Sequence, residues 1–564
     1  MAFGSFSKSN SKPSSKLEKP SDILEDHLST TLSYEKDSVE DKQKIHRKLD
    51  NRHVQLIAIG GSIGTGLFVT IGSGLIKGGP LGLFLAYSFW TCNILLLTTA
   101  VGEMVSYLPI AAPFVELAGR CVDEAFECCV GWNFYLMEAL YIPFEITAVN
   151  GMIHFWRDDY SPAITVCLQI FIYSMINLFA VRIYGESEFW LSLGKLILCI
   201  GLLLFTFIAM VGGNPQHDVF GFRNWNVSGG PIGEYITTGA LGKFQGFLNA
   251  LLQALFTVCG PEYMSMVAAE ARNPRKVMPI AFKTVLYRLA LFYVGGALSV
   301  SILIAYNDPT FVELSASSSN SASSPYVVAM ENLKIQVLPH IVNALVLSAA
   351  FSAGNSYMYC STRTLYSLAN RGFAPRFFRK CTKQGVPIYA VIAGICFSML
   401  SLMQLGSSSA TALSYMVSLV TGAQILNYAF MTVTYLGFFR ACKAQKLDRR
   451  SFPYRSWFQP YSIYISATFL WIMVGIQGYY VFIPGHWEVT TFLFSYIMVF
   501  VDIAIYLTWK LVKRTKFVKA EEADLTSGLK EIEDHEYEYY AELEAEGKNI
   551  GEMPWYRKAL QWIF

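Results

Sequence analysis

The sequence predicts an all-helical integral membrane protein of about twelve spans, and three observations carry that prediction. Of 564 residues, 53% are hydrophobic and only 15% charged, and the mean hydropathy is +0.36, too apolar for an ordinary soluble domain. Apolar runs of about 20 residues, the length that crosses a bilayer, recur along the chain. Two of those runs are interrupted at membrane depth by glycine-rich segments. An unpaired backbone polar group in hydrocarbon costs several kcal/mol, so such a break survives only where it lines a cavity or binds something.

Taken in order, residues 1–50 are polar, rich in Ser and Lys and acidic in patches, without the apolar core of a cleavable signal. They read as a disordered tail, and the first span must itself act as the signal. Spans are predicted near 54–75, 81–108, 126–153, 163–182, 189–211, 247–269, 286–306, 338–369, 387–405, 410–439, 461–483 and 491–512. The first is broken by GGSIGTG, Gly60 to Gly66, and the sixth by Val258-Cys259-Gly260-Pro261-Glu262-Tyr263. Paired breaks at corresponding places in two halves point to a secondary transporter whose site lies between the halves. The glycine run is not a phosphate loop, because Leu67-Phe68 follows Gly66 where Lys and then Ser or Thr would be needed. Close helix packing by small residues is the competing reading of one such run, and the second break favours a cavity. At a half-helix end the free N–H groups and the dipole attract an anion such as a carboxylate. Residues 515–564 form a charged tail, strongly acidic from Glu521 to Glu546, which reads as disorder or a solvated helix.

Positive charge is distributed unevenly between the two sides. Alternate loops hold Arg120, Arg182, the group Arg272, Arg275, Lys276 and Lys283, the group Arg371 to Lys383, and Arg440 to Arg455. The other loops hold only Lys77, Arg157, Arg223, Lys243 and Lys334. Lys and Arg in short loops stay on the inner side, so both termini are expected in the cytoplasm. The sequon Asn226-Val227-Ser228 then falls outside, where it is a candidate for glycosylation. Eleven cysteines lie mostly inside apolar runs, with no disulfide or zinc spacing. None of the eight histidines sits mid-span, which argues against a membrane-embedded acyltransferase or metalloprotease. No metal, cofactor or nucleic acid is expected, and the partners are membrane lipid and a small molecule.

Ionisable residues within spans are functional candidates, because each is costly in lipid. Glu138 and Glu145 are seven apart on span 3 with Tyr141 between them, so the three share a helical face that is wet or binds cations. Two carboxylates at one site repel, which suits one of them to exchange a proton during transport. Lys195 is a lone cation in span 5 that either snorkels to the surface or points inward, where it would stand in for a coupling ion. Glu103, near the end of span 2, and Glu262, at the second break, complete the set.

Many ordered motifs resemble the fungal amino-acid permeases of the amino acid, polyamine and organocation superfamily. They are Asn51-Arg52-His53 before the glycine run, Gly102-Glu103-Met104, Phe189-Trp190 with Lys195, Gly260-x-Glu262, and Glu270-x-x-Asn273-Pro274-Arg275-Lys276. Tyr359-x-Ser361-x-Arg363 and Gly372-x-Ala374-Pro375 extend the resemblance, which covers about residues 45–515. Stretches at 51–59, 153–160 and 212–218 resemble a divergent branch that handles carnitine and polyamines. The resemblance implies a five-plus-five inverted repeat within residues 51–514, with repeats at about 51–211 and 245–439 and two further helices at 461–512. It also implies proton-driven import at the plasma membrane, with the proton gradient as the energy source, and ubiquitin-ligase adaptors acting on the tails. By position, Ser62, Ile63, Gly64, Thr65 and Gly66 become the cradle for a substrate carboxylate. Phe256, Val258 and Gly260 line the place of the substrate amine, together with Glu138 and Tyr141. Lys195, Glu145, Glu262 and Glu103 become the proton-linked residues.

The chain departs from the family pattern in three places. Pro261 stands where Thr or Ser is usual, Val258 where an aromatic gate is common, and Ala112-Pro113 where small hydroxyl residues are usual. These changes, with Glu138, favour an extended or permanently cationic substrate held by carboxylates and aromatic faces. Two functions follow: a proton-coupled importer of amino acids, carnitine or polyamines working by alternating access, or a nutrient sensor with the same fold that moves little substrate. A channel is disfavoured by the lack of a filter segment, and an enzyme by the lack of catalytic groups.

Overall fold

Proline opens many of the helices. Pro113, Pro162, Pro261, Pro274, Pro309 and Pro325 each take the first position, where a missing N–H costs nothing and φ is already set. The computed structural model describes residues 63–110, 112–157, 159–179, 181–268, 271–316, 324–382, 385–406 and 409–545. The predicted amino-terminal tail, residues 51–62 of the first span and the end of the chain after 545 lie outside the described residues.

Span 1 resumes after the non-helical Ile63-Gly64 with a π-helical turn, Gly66–Thr70, that runs into α1 (Ile71–Tyr107). Helix α1 holds the rest of span 1 and all of span 2, joined at Gly79 with φ 71° and ψ 174°, a conformation open essentially to glycine alone. The backbone of the 5–6 loop presses on this turn: a Cβ on Gly79 would lie 2.5 Å from the Gly233 amide nitrogen. Next come α2 (Pro113–Cys121), α3 (Glu124–Ile153), α4 (Pro162–Phe179) and α5 (Val181–Met210). Span 6 is split into α6 (Gly239–Thr257) and α7 (Pro261–Val267). Span 7 is α8 (Pro274–Arg288), a second π-helical stretch at Leu289–Val294, and α9 (Gly295–Leu303). Then follow α10 (Pro309–Ala316), α11 (Pro325–Asn332), α12 (Leu338–Asn370), α13 (Ile388–Ser398), α14 (Ser409–Ala444), α15 (Tyr461–Ile476), α16 (Val489–Lys513) and α17 (Leu529–Ala545).

The most extensive helix contacts join α1 to α6 and α3 to α12. These are spans 1–2 against 6, and 3 against 8, which sit at matching places in the two halves, as the inverted five-plus-five repeat requires. Close approach depends on small residues. At the crossing of the two broken spans, a Cβ on Gly66 would lie 3.3 Å from the Thr257 Cα.

Seven described helical stretches are long and apolar enough to cross a membrane, and one of them, Gly66–Tyr107, is long enough for two spans. The spans that fall short are α3, the split α6 and α7, α12, and the shorter α15. Three of these four carry buried polar groups at the molecule's centre, so lower hydropathy marks where the chemistry lies. Apolar side chains such as Phe171, Phe207, Ile465 and Phe500 are exposed on the outer helices, where lipid covers them.

Three expectations are corrected. Span 7 begins at Pro274, not 286, because Asn273 starts the helix: its Oδ1 accepts from the Lys276 amide at 3.3 Å. Arg275, Lys276 and Lys283 therefore ride on a helix and not in a loop. Lys77 is also no loop residue, since the helix continues to Gly78. Finally, the acidic tail is not solvated on all sides. The Val518 amide donates to the Val122 carbonyl at 2.8 Å, Gln445 donates to the Ala520 and Ala523 carbonyls, and Leu525 and Ile532 are buried. Helix α17 continues this docking, with Arg275 near Glu533 and Glu536 and the Tyr540 hydroxyl accepting from Asn273. Hydropathy could not show this, because the segment's few aliphatic residues are the ones that are buried.

Candidate functional site

The two breaks adjoin each other, and α3 packs against both. On the first, the Thr65 hydroxyl donates to the Glu145 carboxylate, and the Thr65 amide lies 3.5 Å from Glu145 Oε1. The N-terminus of a half-helix is an anion site by its free amides and dipole. Here the anion is supplied by the protein's own span 3. Gly64 is what lets the carboxylate in: a Cβ there would lie 3.1 Å from Glu145 Oε1 and 3.3 Å from the Tyr357 hydroxyl. Ile63 is buried beside it, and Ser62 lies outside the described residues.

The second break repeats the motif in cis. Glu262, in the first turn of α7, accepts from the Gly260 amide at 3.3 Å and from the Tyr428 hydroxyl at 3.1 Å, while its second oxygen has no hydrogen-bond partner. The carbonyls exposed by the break are approached by hydroxyls, that of Phe256 by Tyr141 and that of Val258 by Tyr428, both at 3.4 Å. Each half-helix end is thus closed by a glutamate.

Between the breaks lies an aromatic cluster. Tyr141 stacks on Tyr357 with ring centroids 4.5 Å apart, and Phe256 packs against Tyr141 and edge-on to Phe144 at 4.9 Å. The Tyr141 hydroxyl is fixed by Gln424 at 2.6 Å, and Gln424 in turn donates to Tyr428. Glu138 is fully buried with neither carboxylate oxygen in a hydrogen bond of normal geometry, although the Tyr263 hydroxyl is beside it and Glu262 is near enough to repel it. A buried carboxylate without a firm partner next to aromatic faces is suited to a cationic group.

Lys195 is also buried, so it does not snorkel. Its ammonium lies 3.7 Å from Glu188, on the same face of α5, and Glu188 accepts from Ser352 at 2.9 and 2.8 Å. Glu145 is the other carboxylate acting on that ammonium. Glu138, Tyr141, Glu145, Phe256, Val258, Gly260 and Glu262 therefore come together with the first break, and Lys195 adjoins them. Glu103 does not. Its carboxylate takes Arg449 at 2.5 and 2.7 Å, the Tyr435 hydroxyl at 2.9 Å and the Ser456 amide at 2.9 Å, which ties α1 to α14 and the segment after it.

Glu188, Tyr357, Gln424 and Tyr428 belong to the site and were not among the sequence candidates. Gln424 and Tyr428 had a signal: two polar groups four apart in an apolar run share a helical face. Glu188 sits one residue before the predicted edge of span 5, where an acid reads as a loop residue. Among the described residues no cluster could hold a metal ion.

A cavity of about 530 Å³ lies one helical turn from the breaks, on the side away from the docked tail. Its wall includes Thr70, Gln253 and Thr421, which precede or follow Gly66, Thr257 and Gln424 by one turn.

A family model described as amino acid permease matches residues 53–522. The general amino acid permease AGP2 of Saccharomyces cerevisiae is 47% identical over 87% of this chain and 84% of its own length. The dicarboxylic amino acid permease of the same yeast is 37% identical over 94% and 88%, and its lysine-specific permease 33% over 93% and 85%. Among solved structures, a manganese transporter of Eremococcus coleocola superposes with a TM-score of 0.51 at 15% identity, covering 82% of this chain and 94% of that one, a likeness of fold alone.

Proposed function

This chain belongs to the amino acid permease family and is an amino-acid transporter, and from that premise we propose that it imports its substrate with protons across the plasma membrane by exchanging one carboxylate for another at the first helix break. The observation that carries the proposal is Glu145 seated on the half-helix end at Thr65, the place a substrate carboxylate needs. Ionised, Glu145 holds the anion site itself. Protonated, it has less to gain from the dipole and the amide, and yields the site to the substrate. Binding of substrate and proton then favour the same state, and that linkage is what symport requires.

The other end of the substrate has a matching environment. Its cation meets Glu138 and Glu262 and the faces of Tyr141, Tyr357 and Phe256. This supports amino acids and carnitine, which carry both a carboxylate and a cation; a polyamine shares only the cationic end. Family names alone do not choose, since relatives are named for general, dicarboxylic and lysine substrates. The Lys195 ammonium, held by Glu188, is a fixed positive charge acting on Glu145 that the exchange must leave in place.

The test is uptake into proteoliposomes of labelled carnitine, spermidine, arginine, proline and leucine, with and without an inward proton gradient. Gradient-dependent accumulation supports the symporter. In Glu145→Gln, which mimics the protonated acid, exchange of substrate should persist while concentrative uptake is lost; full concentrative uptake by that variant overturns the carboxylate exchange. One observation favours the sensor reading: α17 contacts Asn273 and Arg275 at the start of α8, the next helix in the chain after the second half-helix α7, which offers a link from the break to the tail. Saturable binding without accumulation would select it.

A further inference from the structure

The cavity beside the breaks is lined, among the described residues, by a single charged side chain, Lys77. Its ammonium lies 5.2 Å from the ring centre of Tyr235, which also lines the cavity, and no carboxylate among the described residues pairs with it. Thr70, Ser73 and Lys77 fall on one helical face and present two hydroxyls and the ammonium to the same space. Opposite them stand amides without partners. Asn249 is 7% exposed and Gln477 6%, yet Asn249 Oδ1 and both polar atoms of Gln477 make no hydrogen bond. Gln253 Oε1 has none either. Buried amide groups are ordinarily satisfied, so four such atoms lining one cavity mark a place where a polar ligand binds. The volume suits an amino acid or a molecule of similar size.

We propose that this cavity is an outer binding site for the carboxylate end of a zwitterionic substrate, and that Lys77 makes the permease select carboxylate-bearing substrates and reject polycations. The inference rests on the transport reading above and narrows its substrate class. Lys77 lies eleven residues, about three helical turns, beyond Gly66, so a carboxylate that meets it is held outside the first break, and the cation trailing it is held by the free carbonyl oxygens of Asn249 and Gln253. An amino acid or carnitine carries both ends. A polyamine carries only positive charge and meets an unpaired ammonium on its way in. On the proposed route through this cavity a substrate meets Lys77 before it reaches the three deep glutamates.

The experiment compares wild type with Lys77→Arg, Lys77→Gln, Lys77→Glu and, independently, Asn249→Leu. Proline, carnitine, arginine and spermidine are each followed by proteoliposome uptake and, on the same preparations in detergent, by calorimetric binding. Lys77→Gln should raise KM and Kd for proline and carnitine about tenfold, the worth of one charge-assisted hydrogen bond. Lys77→Glu should shift the spermidine-to-proline ratio further toward spermidine, Lys77→Arg should behave as wild type, and Asn249→Leu should weaken proline, carnitine and arginine alike, leaving their ratios to one another unchanged. Ratios within twofold of wild type in both Lys77→Gln and Lys77→Glu overturn the proposal. If wild type accumulates nothing, the transport reading fails, and the binding ratios still decide the role of Lys77.

Discussion

Neutralising Glu188 is predicted to be among the more damaging single changes that leave the helices' shapes alone. The carboxylate lies 3.7 Å from the Lys195 ammonium, and both groups are buried. At that separation, in an effective dielectric of about 20, the attraction is about 4.5 kcal/mol. Breaking a buried pair typically costs about 3–5 kcal/mol, because the remaining charge keeps its burial cost without its partner. Glu188→Gln keeps an oxygen for the Ser352 hydroxyl, which now gives two contacts at 2.9 and 2.8 Å, so most of the loss is charge. Glu145 also acts on Lys195 and offsets part of it, which places the expected destabilisation near the lower end, about 3 kcal/mol. The assay is denaturation of the purified protein in mixed detergent for wild type, Glu188→Gln, Lys195→Met and the double variant. The double variant should recover at least about 2 kcal/mol over the sum of the singles, against the few tenths seen for independent sites. Additive losses, or a Glu188→Gln protein within about 1 kcal/mol of wild type, would refute the pairing argument.

Three further outcomes are expected. Glu138→Gln should raise the unfolding temperature, because a buried carboxylate without a firm partner is replaced by a neutral isostere, and should weaken arginine and carnitine binding more than that of a neutral competitor; lower stability with unchanged binding would make Glu138 a structural residue. Gly79→Ala should destabilise by at least about 1–3 kcal/mol from its backbone conformation alone, with the contact to Gly233 added, and an unchanged unfolding temperature would contradict the turn described between spans 1 and 2. Arg120→Ala loses its bond to the Ser527 carbonyl at 2.9 Å and its contact with Asp524. A half-exposed ion pair is worth up to about 1 kcal/mol, so limited proteolysis of residues 517–545 should accelerate up to about fivefold. Identical digestion would mean the tail does not depend on that anchor.

The membrane architecture was legible because its signal is local. Gly60 to Gly66 and Val258 to Gly260 stand out within apolar runs, and the spacing of Glu138, Tyr141 and Glu145 on one helix places them on one face. What those residues meet is not local. Nothing near Glu145 in the chain announces Thr65, eighty residues earlier, as its partner. Glu103 and Glu262 look alike as lone acids in or beside spans, and only the fold shows that Arg449 takes the first while a half-helix end takes the second. Lys77 reads as a loop residue because Gly78-Gly79-Pro80 ends the helix, and it becomes a cavity wall only when the 5–6 loop bearing Tyr235 closes over it. The acidic tail docks through a few buried aliphatic residues spread among charges, a pattern that hydropathy averages away.

The central claim is that proton and substrate meet at one carboxylate, and substrate-evoked proton entry into proteoliposomes carrying a pH-sensitive dye tests it most directly. Wild type should acidify the lumen when substrate is added outside, while Glu145→Gln should exchange labelled substrate at a comparable rate with no pH change. Substrate entry without proton movement in wild type, or undiminished proton movement in Glu145→Gln, would contradict the account.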